Sequence, residues 1–162
     1  MARNAFYSFH YDGDNKRAAQ VRNIGMIAGE RHCHDNDWES VRKHDHASIE
    51  RWIKGQLEGK STTIVLIGQN TAGRHWINYE IAESWNKRMA LLGIYVHNIT
   101  DWQGQRAIKG DNPFDYVTLN ATGARLSTIV PVYDPPAANA YSFIADNLGA
   151  MITHAHNVRK AA

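Results

Sequence analysis

Two runs of almost uninterrupted apolar and β-branched residues, Thr62-Thr63-Ile64-Val65-Leu66-Ile67-Gly68 and Leu91-Leu92-Gly93-Ile94-Tyr95-Val96-His97, flank a segment with a different rhythm. A strand that is apolar at successive positions, and not only at alternate ones, must be covered on both faces. Strands of that kind belong to parallel sheets, whose crossover helices provide the cover. Between the two runs, from Arg74 to Met89, Ile77, Ile81, Trp85 and Met89 stand four apart and mark one stripe of a helix. Strand, helix and strand in this order restrict the chain to an α/β fold.

The remaining segments fit that frame. Ala5-Phe6-Tyr7-Ser8-Phe9-His10-Tyr11 reads as a first strand, ended by the turn signal Asp12-Gly13-Asp14-Asn15, which can also cap a helix. Ala18, Val21, Ile24 and Ala28 predict a short amphipathic helix from Lys16, with Lys16, Arg17 and Arg22 toward solvent. Gly29 to His46 is polar and histidine-rich, a long loop with room for a poor edge strand. Ile49, Trp52, Ile53 and Leu57 define a helix, with Glu50 and Lys54 as an i,i+4 pair and Gly59 suited to its C-terminal cap. A Gly-, Asp- and Asn-rich loop covers Asn98 to Asn112, and Ser127 to Tyr133 gives one more strand. Asp134-Pro135-Pro136 opens a last helix with Tyr141, Ile144, Leu148, Met151 and Ile152 on its apolar face. The polar tail from His154 is expected to fray. At 162 residues the chain falls short of a barrel, which needs roughly 250. One domain spanning 1–162 is expected, a three-layer α/β sandwich of flavodoxin-like type around a central, mostly parallel sheet.

Charge and cysteine usage narrow the function. Lys plus Arg number 18 against 16 for Asp plus Glu, too even a balance to drive binding to a phosphate backbone, so no nucleic-acid partner is expected. Cys33 is the only cysteine, and neither an apolar leader nor an 18-residue apolar run is present. A soluble cytoplasmic protein without a membrane partner follows.

In open parallel sheets ligands bind beyond the carboxyl ends of the strands at the switch point, here where strands one and three lie side by side. The candidate segments are Ser8 to Asp12 and Gly68 to Glu80. After strand one the chain reads His10-Tyr11-Asp12-Gly13-Asp14-Asn15, with neither the spaced glycines of a dinucleotide fingerprint nor the Ser/Thr-rich phosphate loop of a flavodoxin. A phosphoryl-accepting receiver needs acidic residues at the ends of strands one and three. Strand three ends in Gly68-Gln69-Asn70, and Asp12 with Asp14 alone does not make that site. The segment does offer Trp76 and Glu80, four apart on one helix face, with Glu80 about 60° around from Ile77 at the edge of the apolar stripe. An aromatic beside such a carboxylate suits chemistry on a flat cationic leaving group attached to a sugar. The ring can stack, while the carboxylate holds ribose hydroxyls and stabilises an oxocarbenium ion. At an effective dielectric near 20, one charge pair about 4 Å apart is worth roughly 4 kcal/mol, or about a thousandfold in rate if confined to the transition state. The plainer reading of the pair is a core aromatic beside a solvated carboxylate near a helix N-terminus.

Five blocks in register speak further. Phe6-Tyr7-Ser8-Phe9-His10-Tyr11, Ser61 to Gly68, Arg74-His75-Trp76-Ile77-Asn78-Tyr79-Glu80-Ile81, Leu92-Gly93-Ile94 and Gly110-Asp111-Asn112-Pro113-Phe114-Asp115-Tyr116 resemble the TIR-like family, specifically the TIR proteins of bacterial Thoeris anti-phage defence, from about residue 3 to about 134. The resemblance implies a flavodoxin-like TIR fold. It also implies cleavage of NAD, as substrate and not as cofactor, to nicotinamide and a cyclic or conjugated ADP-ribose signal that activates a separate effector protein. By position, Glu80 matches the catalytic glutamate of TIR NADases and Trp76 the aromatic four residues before it. Ser8, with Phe9 and His10, matches the strand-one end that lines the substrate pocket. A homo-oligomer is compatible with this reading, and no cofactor or metal is expected. The alternative is a non-catalytic TIR-like adaptor that binds a partner through the His-rich loop or exposed tryptophans.

His32-Cys33-His34 with Asp35 or Asp37, or His44 with His46, offer metal donors, but their spacing lacks the second distant pair of zinc sites, and a solvated loop accounts for them. No base can be named for Cys33 as a nucleophile. Trp52 and Trp85 read as core residues. Trp38 and Trp102 lie in polar loops, open to a pocket wall or an interface.

Overall fold

The computed structural model describes residues 4–27, 31–32 and 44–162. Strand β1 (Asn4–Ser8) is followed by helix α1 (Tyr11–Ile27), the two-residue strand β2 (Arg31–His32) and helix α2 (His46–Leu57). Then come β3 (Thr62–Ile67), α3 (His75–Asn86), β4 (Ala90–Tyr95), 3-10 turns at Pro113–Tyr116 and Leu126–Thr128, β5 (Val132–Tyr133) and α4 (Ala140–Ala161). The strand order is β2-β1-β3-β4-β5, with every neighbouring pair parallel. β3 lies in the middle and is buried at all six positions, as its continuous apolar run requires.

The period of two along β3 divides the core. Ile64 and Leu66 pack with Tyr7, Leu92 and Ile94 under α1 and α4. Val65 and Ile67 face the other way, with Leu91, Phe114 and Ile77 and Ile81 of α3. A third cluster joins Phe6 to Ile49, Ile53 and Leu57 of α2. Helices cover both faces, giving the expected three layers, with β1 and β3 adjacent at the switch point.

Several boundaries depart from the sequence expectation. β1 stops at Ser8, and Asp12-Gly13-Asp14-Asn15 lies inside the first turn of α1, where the Asp14 N–H donates to the His10 carbonyl at 2.9 Å. Residues that favour turns are equally at home at a helix N-terminus, and the burial of Asp14 decided between the two. α3 ends at Asn86, and Arg88 takes a left-handed φ of 61°. Met89 thereby leaves the α3 stripe and joins the α2 cluster. The strand expected over Ser127 to Tyr133 shrinks to Val132–Tyr133, because Leu126–Thr128 is a 3-10 turn and Pro131 has no N–H to give to a ladder. The last helix starts at Ala140, not at the prolines. Asp134 is instead held by Lys109 at 2.9 Å, and the Pro135 carbonyl accepts from Asn98.

The polar tail is helical. α4 runs to Ala161 because its polar groups find partners: His156 Nε2 lies 2.8 Å from Thr62 Oγ1, and the Arg159 guanidinium sits 3.9 Å from the Trp85 ring centroid while donating to the Trp85 carbonyl. At the other edge, Arg31 and His32 pair with Asn4 and Ala5 as an edge strand, while 33–43 of the His-rich loop lie outside the described residues.

Two glycines give opposite expectations. A Cβ on Gly110 would strike the backbone carbonyl of Gly68, where the long loop after β4 crosses the end of β3, whereas a Cβ on Gly149 in α4 meets nothing within 4 Å. Gly110→Ala is expected to lower unfolding stability by about 1–3 kcal/mol. Gly149→Ala is expected to raise it by about 0.5–1 kcal/mol through helix propensity. Urea titration of the two variants checks both signs.

Candidate functional site

At the carboxyl end of β1, Phe6 faces α2 and Tyr7 faces α1 and α4, so alternation puts Ser8 on the Phe6 side. There the Ser8 hydroxyl donates to Glu80 Oε1 at 2.9 Å, in a buried contact between residues 72 apart in sequence. Glu80 comes from the second turn of α3, and a chain of hydroxyls fixes that helix. Ser84 Oγ donates to the Glu80 carbonyl at 2.7 Å, and its oxygen lies 2.7 Å from Thr63 Oγ1 of β3, all buried. Since the Ser84 proton is committed to Glu80, the Thr63 hydroxyl must be the donor in the second bond.

The residue keeps 9% of its surface open. Burial pushes the Glu80 carboxyl up to about 8, and the Ser8 hydrogen bond opposes the shift without offsetting it. The carboxylate is therefore not the solvated one of the plainer sequence reading. It is a desolvated acid held at the switch point, the environment in which enzymes tune proton affinity.

The other expected site residues divide among three environments. Trp76 stands one turn before Glu80, half-buried, with its ring 4.5 Å from that of His75, 5.2 Å from His46 and 5.7 Å from Tyr79, all edge-on. Phe9 turns to the opposite side of the sheet, where it packs on the α1–α4 core, beside Tyr11 and under the Arg22 guanidinium. His10 lines a crevice of about 430 Å³ at the carboxyl edge of the sheet. The structure thus brings Ser8 and Glu80 into contact, sets Trp76 on the same helix beside them, and sends Phe9 and His10 elsewhere.

The crevice holds what sequence reasoning passed over. Asp14, read there as part of a turn signal and set aside as a receiver acid, is 5% exposed at its wall. Thr71 Oγ1 donates to it at 3.4 Å and accepts from the Gly68 N–H at 2.8 Å. Burial raises the Asp14 pKa, opposed by Thr71, Arg17 and Arg74. Arg17, also buried, braces the long loop by donating to the carbonyls of Ile99 at 2.8 Å and Gln105 at 2.9 Å. A Cβ on Gly68 would collide with the Asp14 carboxylate, so that glycine at the end of a strand-forming run was the available signal.

Among the described residues no group of three His, Cys, Asp or Glu could hold a metal. His46 instead stacks on His75 with ring centroids 5.4 Å apart. Cys33, His34, Asp35, Asp37 and Trp38 lie outside the described residues. Trp52 and Trp85 pack half-buried against the core clusters, and Trp102 is 79% exposed with the Lys16 ammonium 5.2 Å from its ring. Among the described residues no helix is long and apolar enough to cross a membrane.

Comparison with known proteins adds a second line. Residues 6–101 match the family model of the Thoeris protein ThsB, TIR-like domain, a span that contains Ser8, Trp76 and Glu80. The chain is also 36% identical over 122 residues to a Bacillus cereus (strain MSX-D12) protein named "Putative cyclic ADP-D-ribose synthase ThsB1", covering 72% of this chain and 64% of that relative.

The burial of Glu80 carries a stability cost with a definite sign. Its folded-state pKa of about 8 exceeds the ordinary value of 4.5, so the folded chain holds a proton that the unfolded chain has released between those limits. Stability should fall as pH rises from about 4.5 to about 8, by an amount of the order of a few kcal/mol. Glu80→Gln should flatten this slope, making the variant the more stable protein at pH 8.5, as thermal unfolding between pH 5 and 9 would measure.

Proposed function

Because this chain belongs to the Thoeris TIR-like family, we propose that it cleaves NAD at the nicotinamide–ribose bond and converts the ADP-ribosyl unit into a cyclic nucleotide signal. The observation that carries this reading is the buried Ser8–Glu80 pair at the switch point. An adaptor gains nothing from a desolvated carboxyl held by a serine, whereas an enzyme that must stabilise a sugar cation gains a charge whose field is undiluted by water.

In the free protein at neutral pH, Glu80 is mostly protonated. The nicotinamide of NAD is a cation, and a cation beside a carboxyl favours its ionised form, so substrate binding expels the proton. The resulting carboxylate accepts from Ser8 at Oε1, which leaves Oε2 for the hydroxyls of the nicotinamide-side ribose. As the C1′–nitrogen bond lengthens, positive charge moves from the nicotinamide ring onto the ribose, toward the carboxylate. Stabilisation therefore grows along the reaction, which is the requirement for catalysis. Trp76, one turn earlier on α3, provides an aromatic surface for the nicotinamide.

The signal acts on a separate effector protein, in the cytoplasm, and a homo-oligomer is compatible with this activity. The family match and the name of the Bacillus cereus relative support the reading.

Nicotinamide release from NAD tests it. Glu80→Gln should lower turnover by about a hundredfold or more; equal turnover by the variant would remove Glu80 from the mechanism. For the intact protein, kcat/KM should rise with pH and level off near 8, the ionisation of free Glu80. Ser8→Ala removes the hydrogen bond that lowers this pKa, so the rising limb should move to higher pH.

A further inference from the structure

The crevice beside His10 and Asp14 has no part in the nicotinamide end of this reaction, yet it opens at the same sheet edge. His10 follows Ser8 by two residues, so the partner of Glu80 and the crevice wall are at most about 7 Å apart along the backbone. A dinucleotide held by its ribose at Glu80 has its second nucleotide within reach of that wall. The crevice volume, about 430 Å³, lies in the range of small-molecule sites.

Its chemistry is that of a mononucleotide. Asp14 lines it with a carboxyl group, whose oxygens can accept from the hydroxyls of a ribose. Arg106 stands exposed on the wall with one Nη2 donating to the Ala137 carbonyl at 3.0 Å, and the rest of the guanidinium can meet a phosphate. Gln69 and Asn70 also line it, and a side-chain amide carries donor and acceptor side by side, the pairing that the edge of an adenine ring requires. Ile108, 66% exposed and lining the same space, gives the flat face of a base something apolar to lie against. Arg17 is spent on loop carbonyls and keeps these walls in place.

We propose that this crevice, through Asp14 and Arg106, holds the adenylate half of the dinucleotide and thereby decides whether the cleaved ribose closes on its own molecule or is lost to water. The inference rests on the NAD-cleaving reading. When the C1′–nitrogen bond breaks, its electron pair leaves on nicotinamide. C1′ then bonds either to a nucleophilic atom of the adenosine half, closing a ring, or to water, giving linear ADP-ribose. A hydroxyl or water nucleophile gives up its proton to solvent, and an adenine ring nitrogen takes on the positive charge. Which product forms depends on whether the adenosine half is held beside C1′, a matter of effective concentration.

The test is the ratio of cyclic to linear product, separated by chromatography and identified by mass, for the intact protein, Asp14→Asn and Arg106→Ala. The ratio is internal to each reaction and independent of how much of a variant folds. Both substitutions should lower it at least tenfold, and a ratio within twofold of the intact protein in both would overturn the proposal. If the intact protein releases no nicotinamide at all, the Glu80 reading fails, and the crevice is judged separately by calorimetric titration with AMP. Binding to the intact protein that weakens at least tenfold in Arg106→Ala supports the site. Absent binding, or equal binding by both, overturns it.

Discussion

Strand β3 is the constraint on which the rest of the molecule turns. Each of its six residues is buried, and each holds something different: Thr62 meets His156 of α4, Thr63 the Ser84 hydroxyl of α3, and the four apolar residues are shared between the two faces of the sheet. Pairing with β1 on one side and β4 on the other sets those strands in register. The strand's exit at Gly68 is where α1, the β3–α3 loop and the loop after β4 converge, because Gly68 and Gly110 have no side chains to keep backbone and carboxylate apart. Both candidate sites hang from this strand, Glu80 through the Thr63–Ser84 hydroxyls and Asp14 through Gly68 and Thr71.

The two buried acids show how environment divides chemically similar groups. Both are raised by desolvation. Among the described residues, Asp14 is opposed by a hydroxyl and two guanidinium groups, Glu80 by the Ser8 hydroxyl. Cations beside an acid favour its ionised form and so oppose its desolvation. An acid that burial raises to about 8, as Glu80 is, holds its proton at neutral pH until a cation arrives. A site that must recognise a positive leaving group and then stabilise a positive sugar gains from the second arrangement, because the charge appears when there is something to stabilise.

Much of this was legible along the chain, and the reasons are physical. β3 and β4 declared themselves as apolar runs, while α2 and α3 showed apolar stripes at their proper spacing. These are patterns of near neighbours, which periodicity reports directly. The 3.6-residue turn of the α-helix places Glu80 at the edge of a buried stripe from its spacing alone. What failed was equally systematic. Asp12 to Asn15 suited a turn and a helix start alike, and the proline pair before α4 suited a helix start but was taken by the Asp134 and Pro135 contacts. After Ala155 the only apolar residues of α4 are Val158 and Ala161, and its polar residues meet partners far away in the chain, Arg159 on Trp85 and His156 on Thr62.

The amino-acid order alone determined the α/β class, the identity of the central strands, and the pairing of an aromatic with a carboxylate on one helix face, because each depends on spacings of two or of three to four residues. It could not determine how deep that carboxylate lies. Burial of Glu80 depends on Ser8, 72 residues earlier, and on the depth at which α3 rests on the sheet, set by Thr63 and Ser84. Asp14 at a crevice wall likewise needed three distant segments to meet at Gly68. Desolvation is a property of everything that surrounds a group, and only the packed chain brings those surroundings together.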